Sequence, residues 1–292
     1  MSTKEYENYY VPADSQWPII GAVALFCIAL GAGGYVTHLD SDVSGWGYLL
    51  LTGMAIVIYM VVGWIANVIN ESMSGLYSGQ MDASFRQGMS WFIFSEVMFF
   101  AAFFGALLYA RTLSVPWLGG EGSNVMTGAV LWPEFQATWP LIKTPGGLET
   151  QGMGWFGLPL INTILLLVSS VTLHFAHVAL ENNQREKIKI FLGLTILLGV
   201  CFLFLQVEEY MHAYQEMNLR LDSGIYGSTF FLLTGFHGMH VTLGTIMLIV
   251  AFIRILKGHF TPASHFGFQA TSWYWHFVDV VWVLLFLFVY II

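Results

Sequence analysis

Runs of about 20 apolar residues, separated by polar stretches, organise this sequence. Seven runs carry at most one or two charges each, at about 17 to 37, 46 to 69, 88 to 111, 154 to 180, 188 to 212, 224 to 256 and 270 to 291. An α-helix rising 1.5 Å per residue needs about 20 residues to cross roughly 30 Å of hydrocarbon. The runs show no period-two alternation, so in lipid their backbone groups are satisfied only by helical i to i−4 bonding. The pattern therefore predicts an all-α integral membrane protein with seven transmembrane helices, treated as one membrane domain over 1–292. The polar segment NESMSGLYSGQMDASFRQ (70–87) divides it into a two-helix bundle, 17–69, and a five-helix bundle, 88–292. Residues 113–153 form a long outer loop with Pro116, Pro133, Pro140 and Pro145. A loop of that length is usually functional or an interaction surface, and its Trp117, Trp132 and Trp139 suit a membrane interface.

Composition sharpens the picture. The chain is 57% hydrophobic and only 10% charged, where a soluble domain carries about 25% charged residues. A net charge of −8 without any block of Lys and Arg disfavours nucleic acid as a partner. The only cysteines, Cys27 and Cys201, lie in separate apolar runs, so neither a disulfide framework nor a thiolate metal site is expected. The acidic leader, with Lys4 outnumbered by Glu5, Glu7 and Asp14, has the wrong sign for a cleaved signal, and the first span is expected to be retained. Lys4, Arg86, Arg185, Lys187, Lys189, Arg254 and Lys257 fall on one side, against Arg111, Lys143 and Arg220 on the other. The balance predicts N-in, C-out, with the short link NNQREKIK facing the cytoplasm or its equivalent.

An ionisable group inside a span costs about 2.5–3.5 kcal/mol on insertion scales, so each needs a partner or a job. Glu96 and Asp279 lie deep in the third and seventh spans, and His240 falls at the middle of the sixth. Their common depth predicts one buried hydrogen-bonded layer, with Glu96 bonded through His240. His237 and His276 join them as buried polar or proton-related candidates. Two readings stand for all five: ties between helices, or groups that handle protons.

Three pairs have the spacing of metal ligands on one helical face: His174 with His177, His237 with His240, and the Glu-x-x-His pair of Glu209 and His212. A carboxylate-bridged di-iron site needs two such Glu-x-x-His motifs and two further carboxylates, and one motif is present. No metal ligands and no catalytic residues are expected in this chain. Gly235, Gly238 and Gly244 mark the sixth span as central, because small residues let helices approach closely in lipid. No nucleotide-binding loop, dinucleotide fingerprint or nucleophile elbow is present.

Several long segments carry more specific information. YGSTFFLLTGFHGMHV (226–241), HFGFQATSWYWHFVDVVW (265–282), FSEVMFF (94–100), LLGVCFLFLQVEEY (197–210) and PLINTILLLVSSVT (159–172) closely resemble subunit III of haem-copper cytochrome c oxidase. The resemblance covers nearly the whole chain from about residue 88 onward. It implies a non-catalytic core subunit bound against subunit I, with haem and copper held by subunits I and II and cytochrome c met only through the complex. It also implies a two-helix and a five-helix bundle around a cleft that holds phospholipid, and support for proton uptake and sustained turnover. Glu96 corresponds to the family's buried glutamate and Arg254 to the arginine closing its sixth helix. Arg254, Lys257, Arg86 and Trp64 are the expected lipid-binding residues.

The front of the chain departs from the pattern. The family's Trp-Trp-Arg-Asp run is replaced by GWIANVINES, which keeps Trp64, and its His-Thr segment by LYSGQMDAS. The paired histidine of the fourth helix keeps only His177, beside Ala176. Alternatives are subunit III of a quinol oxidase, whose members generally lack the first two helices, and a transporter or proton channel, for which neither inverted repeats nor charged residues along a path are evident. The long outer loop and divergent front favour a bacterial inner membrane over a mitochondrial one.

Overall fold

The computed structural model describes residues 10, 11, 14–38 and 45–292. Lys4 and the leader's Glu5 and Glu7 lie outside the described residues. Among the described residues the chain forms α1 (Trp17–Thr37), α2 (Gly45–Met73), α3 (Gly79–Tyr109), a short α4 (Val115–Leu118), α5 (Leu158–Glu181), α6 (Arg185–Gln215), α7 (Ile225–Leu256) and α8 (Phe266–Leu285). Wider π turns at Ala110–Ser114 and Phe286–Ile291 continue α3 and α8. Among the described residues, seven helical segments are long and apolar enough to cross a membrane, and they coincide with the seven apolar runs. No named strand occurs among the described residues, only an isolated bridge between Lys143 and Glu149 in the long loop.

Local chemistry sets several boundaries. Proline stands in the first turn of α1 and of α5, where its missing N–H costs nothing. α7 ends where Gly258 takes a φ of 73° and the next amide, of His259, bonds back to Arg254 O at 3.0 Å.

Two boundaries differ from the sequence pattern. α2 runs on to Met73 and α3 begins at Gly79, so the polar segment 70–87 is mostly helix. Hydropathy marks the part of a helix that sits in hydrocarbon, whereas Asn70, Glu71, Gln80 and Arg86 extend the same helices beyond it. The outer loop is likewise not wholly irregular, since helical structure continues from α3 through Leu118.

The chain divides into two compact units, Met1–Phe85 and Arg86–Ile292. In the first, α1 packs on α2 through small residues. A Cβ on Gly31 would lie 2.4 Å from Leu50 N, and one on Gly53 2.8 Å from Ile28, so only glycine permits this approach. The outer faces of the pair carry Ile19, Leu25, Phe26, Ile58 and Val62, all exposed and suited to lipid. The link between α2 and α3 is closed by Tyr77, whose hydroxyl donates to Glu71 Oε2 at 2.8 Å while its ring meets the edge of Phe85. Burial, and then the Glu71 carboxylate, push this phenol above the ordinary tyrosine range.

The second unit is built around two tryptophans of α8. Trp275 and Trp282 are fully buried, and their indole N–H groups donate to Ser169 Oγ and Thr163 Oγ1 of α5, each at 3.0 Å. The Trp275 ring occupies the space left by two glycines. A Cβ on Gly199 of α6 would stand 2.6 Å from it, and one on Gly244 of α7 would stand 2.9 Å from it. Thr172 of α5 adds a hydroxyl contact of 2.8 Å to Thr195 of α6. Phe202 packs edge-on against Trp282 with ring centroids 4.8 Å apart.

Substituting Gly199→Ala or Gly244→Ala therefore forces a methyl into a rigid ring and is expected to cost about 1–3 kcal/mol. Gly238→Ala meets nothing within 4 Å, and is expected to be neutral or stabilising by up to about 1 kcal/mol. Thermal unfolding in mild detergent, followed by helical circular dichroism, compares the three.

Candidate functional site

Glu96 of α3 and His240 of α7 form the central polar contact of the second unit. His240 Nδ1 lies 2.6 Å from the carbonyl oxygen of Phe236, which can only accept, so Nδ1 carries a hydrogen. Nε2 then faces Glu96 Oε2 at 3.0 Å. One further proton must occupy that contact, either on Glu96 opposite a neutral imidazole or on Nε2 opposite a carboxylate. The pair is electrically neutral in both arrangements, which is what a low-dielectric setting demands. Phe100 and Tyr274 flank the imidazole, with ring centroids 5.0 and 6.4 Å away. The His240 side chain is 6% exposed and that of Glu96 23%, so Glu96 is the less buried partner.

The single layer expected from depth is not formed. Asp279 points to another face of α8, where His276 Nδ1 is 3.7 Å away and Ser170 Oγ of α5 bonds that same nitrogen at 2.8 Å. No hydrogen bond or ion pair joins Asp279 to Glu96 or His240 among the described residues. The reason is angular: equal depth fixes height along the bundle axis, while the direction of each side chain follows from its own helix's rotation. Asp279 is buried under His276 beside a groove of about 270 Å³ lined by Leu167, Val280 and Val283.

His237 is a third, separate group. It is fully buried, its Nε2 donates to the Val278 carbonyl of α8 at 3.0 Å, and its ring lies 5.0 Å from that of Trp282. It ties α7 to α8. His237 and His240, although three residues apart, do not act as a chelating pair, since both nitrogens of His240 are already engaged.

The Glu-x-x-His pair also separates. Glu209 accepts from Tyr290 at 2.6 Å in the core, whereas His212 pairs with exposed Glu216 at 3.0 Å. The contact between Glu209 and Tyr290, with the buried amides of Gln206 and Asn162, went unnoticed in the sequence. Gln206 and Glu209, three residues apart and so on one face of a long apolar span, were the available signal.

The lipid candidates fall into two sets. Trp64 is an exposed residue of the first unit, beside Asn67, Val68 and Glu71 at a cavity of about 360 Å³. In the second unit, Arg86 and Arg254 both reach the first turn of α8. Arg86 donates to Gln269 Oε1 and lies 5.2 Å over the ring of Phe266. Arg254 sits 4.2 Å over the ring of Phe260, with its Nη1 filling the space beside Gly267. Lys257 is exposed at the end of α7.

Comparison with known proteins adds the missing context. Residues 7–292 match the family described as Cytochrome c oxidase subunit III. Among individual relatives, Cytochrome c oxidase subunit 3 of Hippopotamus amphibius is 37% identical over 289 residues, which cover 99% of this chain and 98% of the relative. The proteins of the same name from Latimeria chalumnae and Danio rerio are each 38% identical over 283 residues, covering 97% of this chain and 96% of theirs.

The Glu96–His240 contact makes a differential prediction. His240→Leu strands the Glu96 carboxyl without a partner and is expected to cost about 1–3 kcal/mol. Glu96→Gln keeps a donor facing Nε2 and is expected to cost less than about 1 kcal/mol. Denaturation midpoints of the two variants decide it, and equal costs would mean that the hydrogen bond contributes nothing.

Proposed function

Because the chain belongs to the cytochrome c oxidase subunit III family, it is a non-catalytic subunit of the oxidase complex, and we propose that it stabilises the haem- and copper-bearing subunits I and II while supporting proton uptake and sustained turnover. The match over residues 7–292 carries this reading. The seven spans make the chain a multi-pass membrane protein. The complex couples O2 reduction to proton translocation, and cytochrome c is its electron donor, met only through the partner subunits. The two extra front helices and the subunit 3 relatives speak for cytochrome c over quinol.

Glu96 and His240 are proposed as the proton-related pair. Their contact holds one proton without net charge, and Glu96 on α3 is its less buried partner. His237 and His276 are proposed as ties that hold α7 and α5 in register with α8, with Asp279 beside His276 on α8. The preferred orientation is N-in, C-out, on the distribution of basic residues. The membrane is an energy-transducing inner membrane. A bacterial source rests on the long loop and divergent front alone, and the vertebrate relatives reported above lend it no support.

Phospholipid is proposed at the first turn of α8. Arg86 and Arg254 both approach that turn, no acidic side chain among the described residues is paired with Arg254, and a helix N-terminus adds partial positive charge. A guanidinium holds a phosphate by two parallel hydrogen bonds, with Lys257 as a further positive charge. Trp64, on the first unit, is proposed by itself as an interfacial lipid contact.

Two measurements test the reading. Native extraction in mild detergent is expected to recover this chain with a haem-bearing partner, and a lone folded monomer from membranes holding no such partner would refute it. Mass spectrometry of retained lipids is expected to show loss of tightly held phospholipid in Arg254→Ala, with a shortened working life and a near-normal initial rate. Unchanged lipid and endurance would leave Arg254 as a topology signal.

A further inference from the structure

At the C-terminal end of α5, three potential metal ligands converge from distant parts of the sequence. His177 and Glu181 stand one helical turn apart on α5, and His265 is the residue that precedes α8. One ring nitrogen from each histidine and one carboxylate oxygen of Glu181 lie within 4.8 Å of one another. His177 Nε2 is buried and has no hydrogen-bond partner, and Glu181 Oε1 is 3.7 Å from it, beyond hydrogen-bond reach. The two imidazole rings are 5.6 Å apart and inclined at 68°, so they approach without stacking. The ring of His265 is anchored by its own backbone, with Nδ1 3.2 Å from the Thr261 carbonyl oxygen, as the outer contact of a metal-bound imidazole commonly is.

We propose that His177, Glu181 and His265 form a binding site for a divalent transition-metal ion of the zinc class. Two neutral imidazoles and one carboxylate are a borderline donor set that suits Zn2+, with a water completing a tetrahedron. Bonds of about 2.0–2.1 Å in a tetrahedral site put neighbouring ligand atoms about 3.3 Å apart. The three groups thus close by an ångström or so on binding, a movement available to Glu181, which is exposed at the helix end. The carbonyl end of α5 favours a cation at this place. A bound ion would staple the end of α5 to the start of α8, the helix whose two tryptophans already grip α5 further along. The partner that sequence spacing offered, His174, takes no part: it lies on the exposed side of α5, next to the ring of Phe175.

The site is tested on the intact complex, by a readout independent of oxidase activity. Complex washed with chelator, equilibrated with zinc and desalted is expected to hold one more zinc per complex than the same complex carrying His177→Ala and His265→Ala. His174→Ala is expected to retain it, and zinc-edge anomalous scattering should place the ion between the three side chains. Equal zinc in the parent and the double variant would overturn the proposal. Should the double variant fail to assemble, Glu181→Gln supplies a second test, because loss of an exposed carboxylate leaves the helix intact. Zinc affinity measured against a competing chelator is expected to fall at least about 10-fold. An unchanged affinity would reduce His177 and Glu181 to an ordinary i,i+4 ion pair.

Discussion

In lipid, apolar surfaces gain nothing by leaving their surroundings for one another, so helices are held by close packing and by hydrogen bonds that have no water to compete with them. In the second unit that role falls on Trp275. Its N–H is satisfied by Ser169 of α5, and its ring fills the space over Gly199 of α6 and Gly244 of α7. One side chain thereby fixes the positions of three neighbouring helices relative to α8. Each interhelical hydrogen bond of this kind is worth only about 0.6 kcal/mol on average in membranes. The register depends on the whole set, in which Trp282 with Thr163, Thr172 with Thr195, and His237 with the Val278 carbonyl repeat the pattern along the bundle.

With that frame in place, the polar groups divide by the direction each helix gives them. α3 and α7 bring Glu96 to His240, α5 and α8 bring Ser170 to His276 beside Asp279, and α6 and the end of α8 bring Glu209 to Tyr290. The first of these contacts joins two ionisable groups through a single hydrogen bond, holding a proton in a neutral pair. The second leaves both oxygens of Asp279 without a hydrogen bond among the described residues.

The basic residues follow a different logic. Arg86 and Arg254 share one arrangement: each guanidinium lies over a phenyl ring, and both reach the first turn of α8. Stacking on an aromatic face keeps an arginine oriented while its donors stay directed elsewhere. A lysine in either place would lack both the planar stack and the fork of donors.

Seven apolar runs, each about as long as the hydrocarbon is thick, were enough to fix the helix count and the all-α class, because in lipid an unpaired backbone has no alternative partner. The long motifs around His240, Asp279 and Glu96 were likewise enough to identify the family. Helix ends were less legible: polar residues at 70–87 read as a separator, yet Glu71 and Arg86 belong to α2 and α3, since hydropathy senses the membrane and not the helix. Contacts between spans were the least legible. Depth placed Glu96, Asp279 and His240 at one level, and spacing placed His174 beside His177, but the rotation of each helix sent Asp279 to His276 and brought His265 to His177 instead. Sequence fixes a residue's height along its own helix, whereas its partner across the bundle depends on how Trp275 and its neighbours set the helices against one another.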